Sequence, residues 1–179
     1  GRSVGPEVEM TITSPDSLPP VLADANQIEL ALLNLVVNSR DAMSGGGSIW
    51  IKLAEESVEH SDSGLATGRY VVLSVEDSGV GMDQDTLAKA VEPFFSTKEL
   101  GKGTGLGLSM IHGLALQLGG KFTLESAVGV GTSANLWIPI ANADNLEPVD
   151  VSPSATPSSL KPGPKRILLV DDDALIAMS

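Results

Sequence analysis

Three polar side chains, Asn34, Asn38 and Asp41, recur at intervals of four and three residues within an otherwise apolar segment. This spacing places them along one face of a helix. Most of the helix circumference is apolar, so we expect the helix to be largely buried, and a buried amide without a partner costs on the order of 1–3 kcal/mol. The polar stripe therefore needs either an internal amide network or a ligand, and the helix alone does not distinguish the two.

A second group of candidate residues lies where a predicted strand ends, in the segment EDSGVGM. Gly79 and Gly81 lack the side chains that would keep a flat ring from approaching the backbone. Asp77 can accept a hydrogen bond from an exocyclic amino group, which adenine carries and guanine replaces with a carbonyl. A buried carboxylate here would favour ATP over GTP by a factor on the order of 10⁴. Asp-Ser-Gly is also a common turn sequence, so this segment is a weak signal by itself.

A glycine-rich segment, GKGTGLGLS from Gly101 to Ser109, leads directly into an amphipathic helix. Free N–H groups at a helix start, in a loop without Cβ atoms, form an anion site suited to phosphates. The spacing matches neither a Walker loop nor a Rossmann turn. Lys98 and Lys102 flank the segment and can reach phosphate oxygens. A flexible surface loop with solvated lysines is the alternative.

The surrounding pattern predicts the elements that position these residues. Strands are expected at 7–13, 48–53, 70–75, 121–125 and 133–140, and helices at 24–43, 83–91 and 106–118, with a polar loop carrying Glu55, Glu56, His60 and Asp62. Gly119 and Gly120 are expected to end the last helix, at the position where a left-handed cap is favoured. The order predicts a two-layer α/β (α+β) sandwich, with helices on one face of a mixed, mainly antiparallel sheet.

Composition limits the classes of function. The 179 residues carry a formal net charge of −12, which repels a nucleic-acid backbone, so no nucleic-acid partner is expected. No apolar run approaches the roughly 20 residues that cross a bilayer, and no membrane contact is expected. The chain has no cysteine and opens without a signal peptide, which favours a cytoplasmic piece of a longer protein.

Three regions are predicted along the chain. Residues 1–141 form the folded domain, and residues 142–164, rich in proline and serine, form a flexible linker. Residues 165–179 contain RILLVDDD at 166–173, a buried-strand pattern that ends in three carboxylates. A stray apolar strand with a solvated acidic end is the alternative for this last region.

Taken in order, NLVVNSRDAM, DSGVGM, EPFFSTK, GKGTGLGLSMIHG and GVGT resemble the nucleotide-binding boxes of the histidine-kinase catalytic domain, within the gyrase, Hsp90 and MutL ATPase superfamily. The resemblance covers roughly residues 7–140 and implies that superfamily's ATP-binding (Bergerat) fold. NSRDAM with EPFFSTK looks most like the nitrogen-regulation and oxygen-sensing branch. RILLVDDD resembles the opening strand of receiver domains, which implies a hybrid kinase whose receiver is cut short here.

The resemblance also implies residue roles and two ligands, ATP and Mg²⁺. Asn38 would ligate Mg²⁺, Asn34 would face the same phosphates, and Asp77 would hold the adenine amino group. The nucleotide would be held by Asn34, Asn38, Asp41, Asp77, Gly79, Gly81, Met82, Lys98, Gly101, Lys102, Gly103, Thr104, Gly105, Leu106, Gly107, Leu108 and Thr132. Asn34 and Asn38 are the catalytic candidates.

One position separates phosphoryl transfer from hydrolysis. In hydrolysing members of the superfamily, a glutamate one turn before the metal-binding asparagine activates water, and this chain has Asn34 there, an amide that cannot act as a base. The resemblance therefore implies a protein-histidine kinase, with a hydrolysing ATPase or a non-catalytic docking adaptor as alternatives. Neither His60 nor His112 matches the phosphoacceptor motif.

The expected partners follow from the same resemblance. They are the dimerisation and histidine-phosphotransfer helices of the parent kinase and a receiver domain or response regulator. Without those helices this chain is expected to be monomeric.

Overall fold

A computed structural model of the chain describes residues 8–60, 64–98, 103–141 and 167–168. In chain order the elements are β1 Val8–Thr13, β2 Val21–Leu22, α1 Ala25–Asp41, β3 Gly47–Val58, β4 Gly68–Asp77, α2 Gln84–Lys89, α3 Gly107–Gln117, β5 Lys121–Ala127, β6 Gly131–Pro139 and β7 Ile167–Leu168.

Five strands form one sheet in the order β1-β3-β4-β6-β5, in which β1 and β3 are parallel and the other neighbouring pairs are antiparallel. Residues that alternate along a strand share one face of the sheet, and the face that packs against α1 and α3 is apolar and buried. The core contains Ile49, Ile51, Val71, Leu73, Val75, Ala134, Leu136 and Ile138 from the sheet and Ala31, Leu35, Ile111 and Ala115 from the helices. The predicted two-layer sandwich with a mixed, mainly antiparallel sheet is confirmed.

Helix α1 begins where the sequence predicts. The Asp24 side chain accepts a hydrogen bond from the backbone N–H of Asn26 at 2.9 Å and so caps the first turn. The expectation that the helix is largely buried is wrong for its outer side, where Leu30 and Leu33 are 47% and 52% exposed. The reason is that α1 lies on the sheet and beside α3, which leaves its remaining side facing outward.

Helix α3 ends as predicted. Gly119 has a φ of +72°, the left-handed conformation that favours glycine at a helix end. The next N–H, from Gly120, donates to the carbonyl of Ala115 at 2.9 Å and so closes the last turn. The chain then turns directly into β5.

The central hairpin is longer than predicted. Glu55 and Glu56, expected in a loop, belong to β3, where they pair with Val71 and Tyr70 of β4. Short β2 was not predicted.

Beyond residue 141, the structure describes two residues, Ile167 and Leu168. Ile167 and Leu168 pair antiparallel with Leu22 and Val21. The rest of the predicted terminal strand and the predicted linker at 142–164 lie outside the described residues, and the assignment of 165–179 to a receiver domain stays a prediction. In the part of the chain that the structure describes, no helix is long and apolar enough to cross a membrane.

Candidate functional site

A cavity of about 540 Å³ lies between α1, the end of the sheet and the chain that leads from α2 to α3. Its lining includes thirteen of the seventeen residues singled out from the sequence, namely Asn34, Asn38, Asp41, Asp77, Gly81, Met82, Lys98, Gly103, Thr104, Gly105, Gly107, Leu108 and Thr132. Gly79 and Leu106 are not on the lining. Gly101 and Lys102 lie outside the described residues.

The wall formed by α1 carries the two asparagines beside the start of α3. A Cβ atom placed on Gly107 would lie 3.4 Å from Asn34 Oδ1 and 3.7 Å from Asn38 Nδ2. Gly107 is the first residue of α3, and no side chain caps this helix. Backbone N–H groups of its first turn are therefore available to an anion that binds beside the asparagines.

Lys98 brings a cation to the same wall. Its Nζ lies 2.7 Å from Asp41 Oδ2 and 3.3 Å from Asn38 Oδ1. Arg40 Nη2 lies 3.0 Å from the other oxygen of Asp41. The hydrogen bond from Lys98, with a smaller contribution from Arg40, holds the pKa of Asp41 below its usual value, while partial burial acts in the opposite direction. Asp41 is therefore ionised at neutral pH.

Asp77 supplies a buried carboxylate to the cavity lining, with 8% of its surface exposed. Its Oδ1 accepts hydrogen bonds from the N–H groups of Gly79, at 2.9 Å, and Thr132, at 3.3 Å. Among the described residues, none donates a hydrogen bond to Oδ2. That oxygen therefore remains as an acceptor for a ligand donor.

The sheet forms a flat floor next to Asp77. Asp77 lies opposite Thr132, and Thr132 lies opposite Ser126, so three polar residues share one row across β4, β6 and β5. Two residues away along each strand, the next row on the same face is apolar, with Val75, Ala134 and Leu124 on the cavity lining. An aromatic ring could lie on this apolar row with its polar edge toward the polar row.

The glycines of the strand-end segment are needed for a different reason from the one predicted. A Cβ on Gly81, whose φ is +66°, would lie 1.9 Å from the carbonyl oxygen of Ala127. A Cβ on Gly79 would lie 2.8 Å from both the Ala42 side chain and Asp77 Oδ1. The space beside both glycines is thus filled by protein, so they permit close packing of the chain behind the cavity instead of leaving room for a ring.

A backbone hydrogen bond joins Phe94 to Gly105, which lies two residues before the start of α3. The Phe94 backbone has a φ of +67°, a conformation that is rare and strained for a bulky residue. In this conformation the Phe94 N–H donates to the carbonyl of Gly105 at 2.9 Å. A Cβ on Gly105 would lie 2.5 Å from the Phe94 carbonyl carbon, so the contact requires glycine.

Sequence reasoning missed several residues of the site. Phe95, Ser96, Thr97 and Thr86 line the cavity. Ser126 does not line it, but its hydroxyl contacts three residues around it, including Thr132. The alternation of Phe122, Leu124 and Ser126 along β5 is the signal that would have placed Ser126 on the cavity side of the sheet.

The side-chain oxygens of the cavity suit a hard cation that the phosphates of a bound nucleotide would also hold. Within residues 8–60, 64–98 and 103–141, no group of three or more His, Cys, Asp or Glu side chains is arranged to hold a metal ion. Asn38 Oδ1, however, already contacts the ammonium group of Lys98 in the cavity. An amide oxygen that faces a positive charge fits Mg²⁺, which commonly takes one or two protein oxygens and completes its shell with phosphates and water.

Comparison with known proteins defines the class of this domain. Residues 23–142 match the family of histidine kinase-, DNA gyrase B- and HSP90-like ATPases. The chain belongs to this family, and its domain is the ATP-binding domain found in sensor histidine kinases.

Individual relatives are sensor kinases. The chain is 38% identical over 185 residues to sensor kinase CckA of Brucella abortus (strain 2308), covering 99% of this chain and 20% of that protein. It is 37% identical over 134 residues to sensor histidine kinase ZraS of Escherichia coli (strain K12), covering 75% of this chain and 26% of that protein. The chain thus spans about a quarter or less of the length of these relatives.

Solved structures share the fold. Full-length ShkA in complex with AMPPNP superposes with a TM-score of 0.60 at 27% identity, over 76% of this chain and 26% of that one. The nucleotide-free catalytic domain of histidine kinase ThkA superposes with a TM-score of 0.58 at 29% identity, over 74% and 80%.

Proposed function

We propose that this chain binds Mg²⁺-ATP in the cavity and transfers the γ-phosphate to a histidine on a dimerisation domain outside the chain. The observation that carries the proposal is the convergence of Asn38 and Asp77 on one cavity that the start of α3 also lines. The Asn38 amide oxygen, next to the Lys98 ammonium group, suits the phosphate end of the nucleotide. The buried Asp77 carboxylate suits the base.

The adenine would lie on the apolar row of the sheet. Asp77 Oδ2 would accept a hydrogen from the 6-amino group, because Oδ1 is already occupied by two backbone donors. Thr132 lies next to Asp77 in the sheet and would support the same edge of the base. Gly79, Gly81 and Met82 would hold the chain behind the base in place.

The triphosphate would lie in the cavity beside the asparagines and the start of α3. The N–H groups at the start of α3 and of the glycine-rich segment would bind its oxygens, and Lys98 and Lys102 would add positive charge. Asn38 would hold Mg²⁺ through Oδ1, with Asn34 facing the same phosphates. Mg²⁺ supplies neutralisation of phosphate charge when bound, and the protein contributes positioning.

The carboxylates on the cavity lining favour phosphoryl transfer over hydrolysis, because neither can act as a base for water. Among the described residues that line it, Asp41 and Asp77 are the acidic ones. Asp41 is paired with Lys98 and Arg40, and Asp77 lies at the base end with its remaining oxygen, Oδ2, assigned to the adenine amino group, so neither is free to activate water near the phosphates. Asn34 lies beside α3 but cannot accept a proton at neutral pH.

The partners in this proposal are the dimerisation and histidine-phosphotransfer helices of a parent kinase, together with a receiver domain or response regulator. They would accept the phosphoryl group in turn. A cytoplasmic setting for this two-component signalling reaction stays a prediction.

Nucleotide binding is tested by titration calorimetry with ATP and Mg²⁺. Asp77→Asn replaces one acceptor oxygen with a donor and should weaken ATP binding by about tenfold or more. Glu76→Gln is the matched control, because Glu76 is the neighbouring residue of β4 and points to the other face. Equal affinity of the wild type and Asp77→Asn would contradict the assignment of the base site.

Transfer is tested by incubating the chain and labelled ATP with separately produced dimerisation helices from a kinase such as those it resembles. Label on the helix histidine supports the proposal. Sustained phosphate release without labelled histidine, lost in Asn34→Ala, would favour the hydrolysing alternative, and nucleotide binding with neither reaction would favour the adaptor.

A further inference from the structure

Ser126 joins three parts of the site wall through one hydroxyl group. Its Oγ accepts a hydrogen bond from the N–H of Met82 at 2.8 Å. The same oxygen lies 2.9 Å from the carbonyl oxygen of Gly131 and 2.9 Å from Thr132 Oγ1. Ser126 is not on the cavity lining itself, whereas Thr132 and Met82 are. Any influence of Ser126 on a ligand therefore acts through these two neighbours.

The hydrogens in this cluster can be assigned by counting donors and acceptors. A serine hydroxyl has one hydrogen and two lone pairs. The carbonyl of Gly131 can only accept, so the Ser126 hydrogen is directed to it. One lone pair of Ser126 takes the Met82 N–H, and the other takes the Thr132 hydroxyl hydrogen, which uses the full capacity of the serine.

The consequence falls on Thr132. With its hydrogen directed to Ser126, the Thr132 hydroxyl can offer the cavity lone pairs alone. Thr132 lies beside Asp77, whose Oδ2 is likewise an acceptor without a donor among the described residues. The two side chains then present acceptors, and no donor hydrogen, to the edge of a base.

We propose that Ser126 is a positioning residue that sets base selectivity, because it fixes the Thr132 hydroxyl as an acceptor. This inference rests on the proposed binding of ATP in the cavity. Adenine offers an amino group at position 6, whose two hydrogens suit two acceptors. A 6-oxo purine offers a carbonyl oxygen at that position and would face like partial charges, which leaves buried acceptors unpaired.

The test measures dissociation constants for ATP and ITP with the full chain and Mg²⁺. ITP is the probe because it replaces the 6-amino group of ATP with an oxo group. In Ser126→Ala the Thr132 hydroxyl is free to rotate and to donate to the 6-oxo group. The dissociation constant for ITP divided by that for ATP should therefore fall by roughly tenfold. Ser126→Thr keeps the hydroxyl and should restore the ratio.

Two further variants separate selectivity from a general structural effect. Ser133→Ala changes a serine one residue from Thr132 on the other face of β6 and should leave the ratio unchanged. Thr132→Val removes the acceptor, so adding Ser126→Ala to it should cause no further change in the ratio. A structural defect would instead weaken ATP and ITP in parallel, and an unchanged ratio in Ser126→Ala overturns the proposal.

The remaining outcomes are also decisive. If Ser126→Ala fails to fold, the ratio of the ITP to the ATP dissociation constant is measured in Thr132→Val and Thr132→Ser instead. A wild-type ratio in Thr132→Val overturns the proposal, because the Thr132 acceptor is then not used. If the wild-type chain binds neither nucleotide, the proposed function fails and this inference fails with it. If the wild type prefers ATP and Ser126→Ala keeps that preference, the inference alone fails.

Discussion

Lys98 Nζ and Asp41 Oδ2 lie 2.7 Å apart although 57 residues separate them in the chain. This ion pair joins the segment before α3 to the last turn of α1, and both residues line the cavity. Both side chains are about one-third exposed, at 32% and 30%, so solvent weakens the attraction between them.

The Lys98–Asp41 pair should contribute little to stability. A double-mutant cycle with Lys98→Met and Asp41→Asn is expected to give a coupling energy of about 0.2–1 kcal/mol in the free energy of unfolding, decreasing with added salt. Chemical denaturation at two ionic strengths measures it. A coupling of several kcal/mol would mean that the pair is much better shielded from water than its exposure indicates.

Asn38 should carry the Mg²⁺ dependence of nucleotide binding. Asn38→Ala removes the amide oxygen proposed to bind Mg²⁺. It is expected to reduce ATP affinity roughly tenfold or more when Mg²⁺ is present. Calorimetry with and without Mg²⁺ separates the two contributions, because the loss should disappear when the metal is chelated. Asn135→Ala, at an asparagine of β6 outside the cavity lining, is the matched control. An equal loss with and without Mg²⁺ would argue against a metal ligand.

Gly81 should tolerate no side chain. Gly81→Ala forces a Cβ to within 1.9 Å of a carbonyl oxygen at a φ of +66°, so we expect a loss of about 3 kcal/mol or more in the free energy of unfolding. Gly45→Ala is the comparison, since nothing lies within 4 Å of its Cβ position, and it should change stability by less than about 0.5 kcal/mol. Thermal and urea unfolding measure both, and similar stabilities for the two variants would contradict the packing described.

The Asp83 cap of α2 should make stability depend on pH in the acid range. Hydrogen bonds from the Thr86 side chain and the Thr86 N–H, the latter at 2.7 Å, hold the Asp83 pKa below its ordinary value of 3.8. Since the folded pKa is the lower one, the stabilisation is fully present above pH 3.8 and is lost as pH falls through the folded pKa. Asp83→Asn keeps a capping oxygen without the titration.

Unfolding measured from neutral pH down to about pH 3 tests this, because 3.8 is the ordinary pKa of the group. The wild type should be more stable than Asp83→Asn at neutral pH, and the difference should shrink toward acid. A difference that stays constant, or grows as pH falls, would show that the charge on Asp83 does not stabilise the fold.

The parts of the site that could be predicted are those with a local signature. The helical spacing of Asn34, Asn38 and Asp41 was sufficient to place them on one face, and the structure brings all three to the cavity lining. This pattern is local, so a single sequence carries it.

The parts that could not be predicted depend on contacts between distant segments. Gly81 packs against Ala127, and Lys98 meets Asp41, through the tertiary fold. Glu55 and Glu56 look like loop residues because their polarity hides that β4 continues alongside them. Leu30 and Leu33 fit a buried helix by composition, and their exposure depends on the absence of a further layer over α1 within the described residues.

The row formed by Asp77, Thr132 and Ser126 depends on the alignment of three strands. If β6 slipped by one residue, Ser133 would take the place of Thr132 and every side chain of that strand would turn to the opposite face. A chain folded out of alignment would therefore lose the proposed base site together with its core. A nucleotide bound at that site would stabilise only the correctly aligned strands, so nucleotide binding would favour correct assembly.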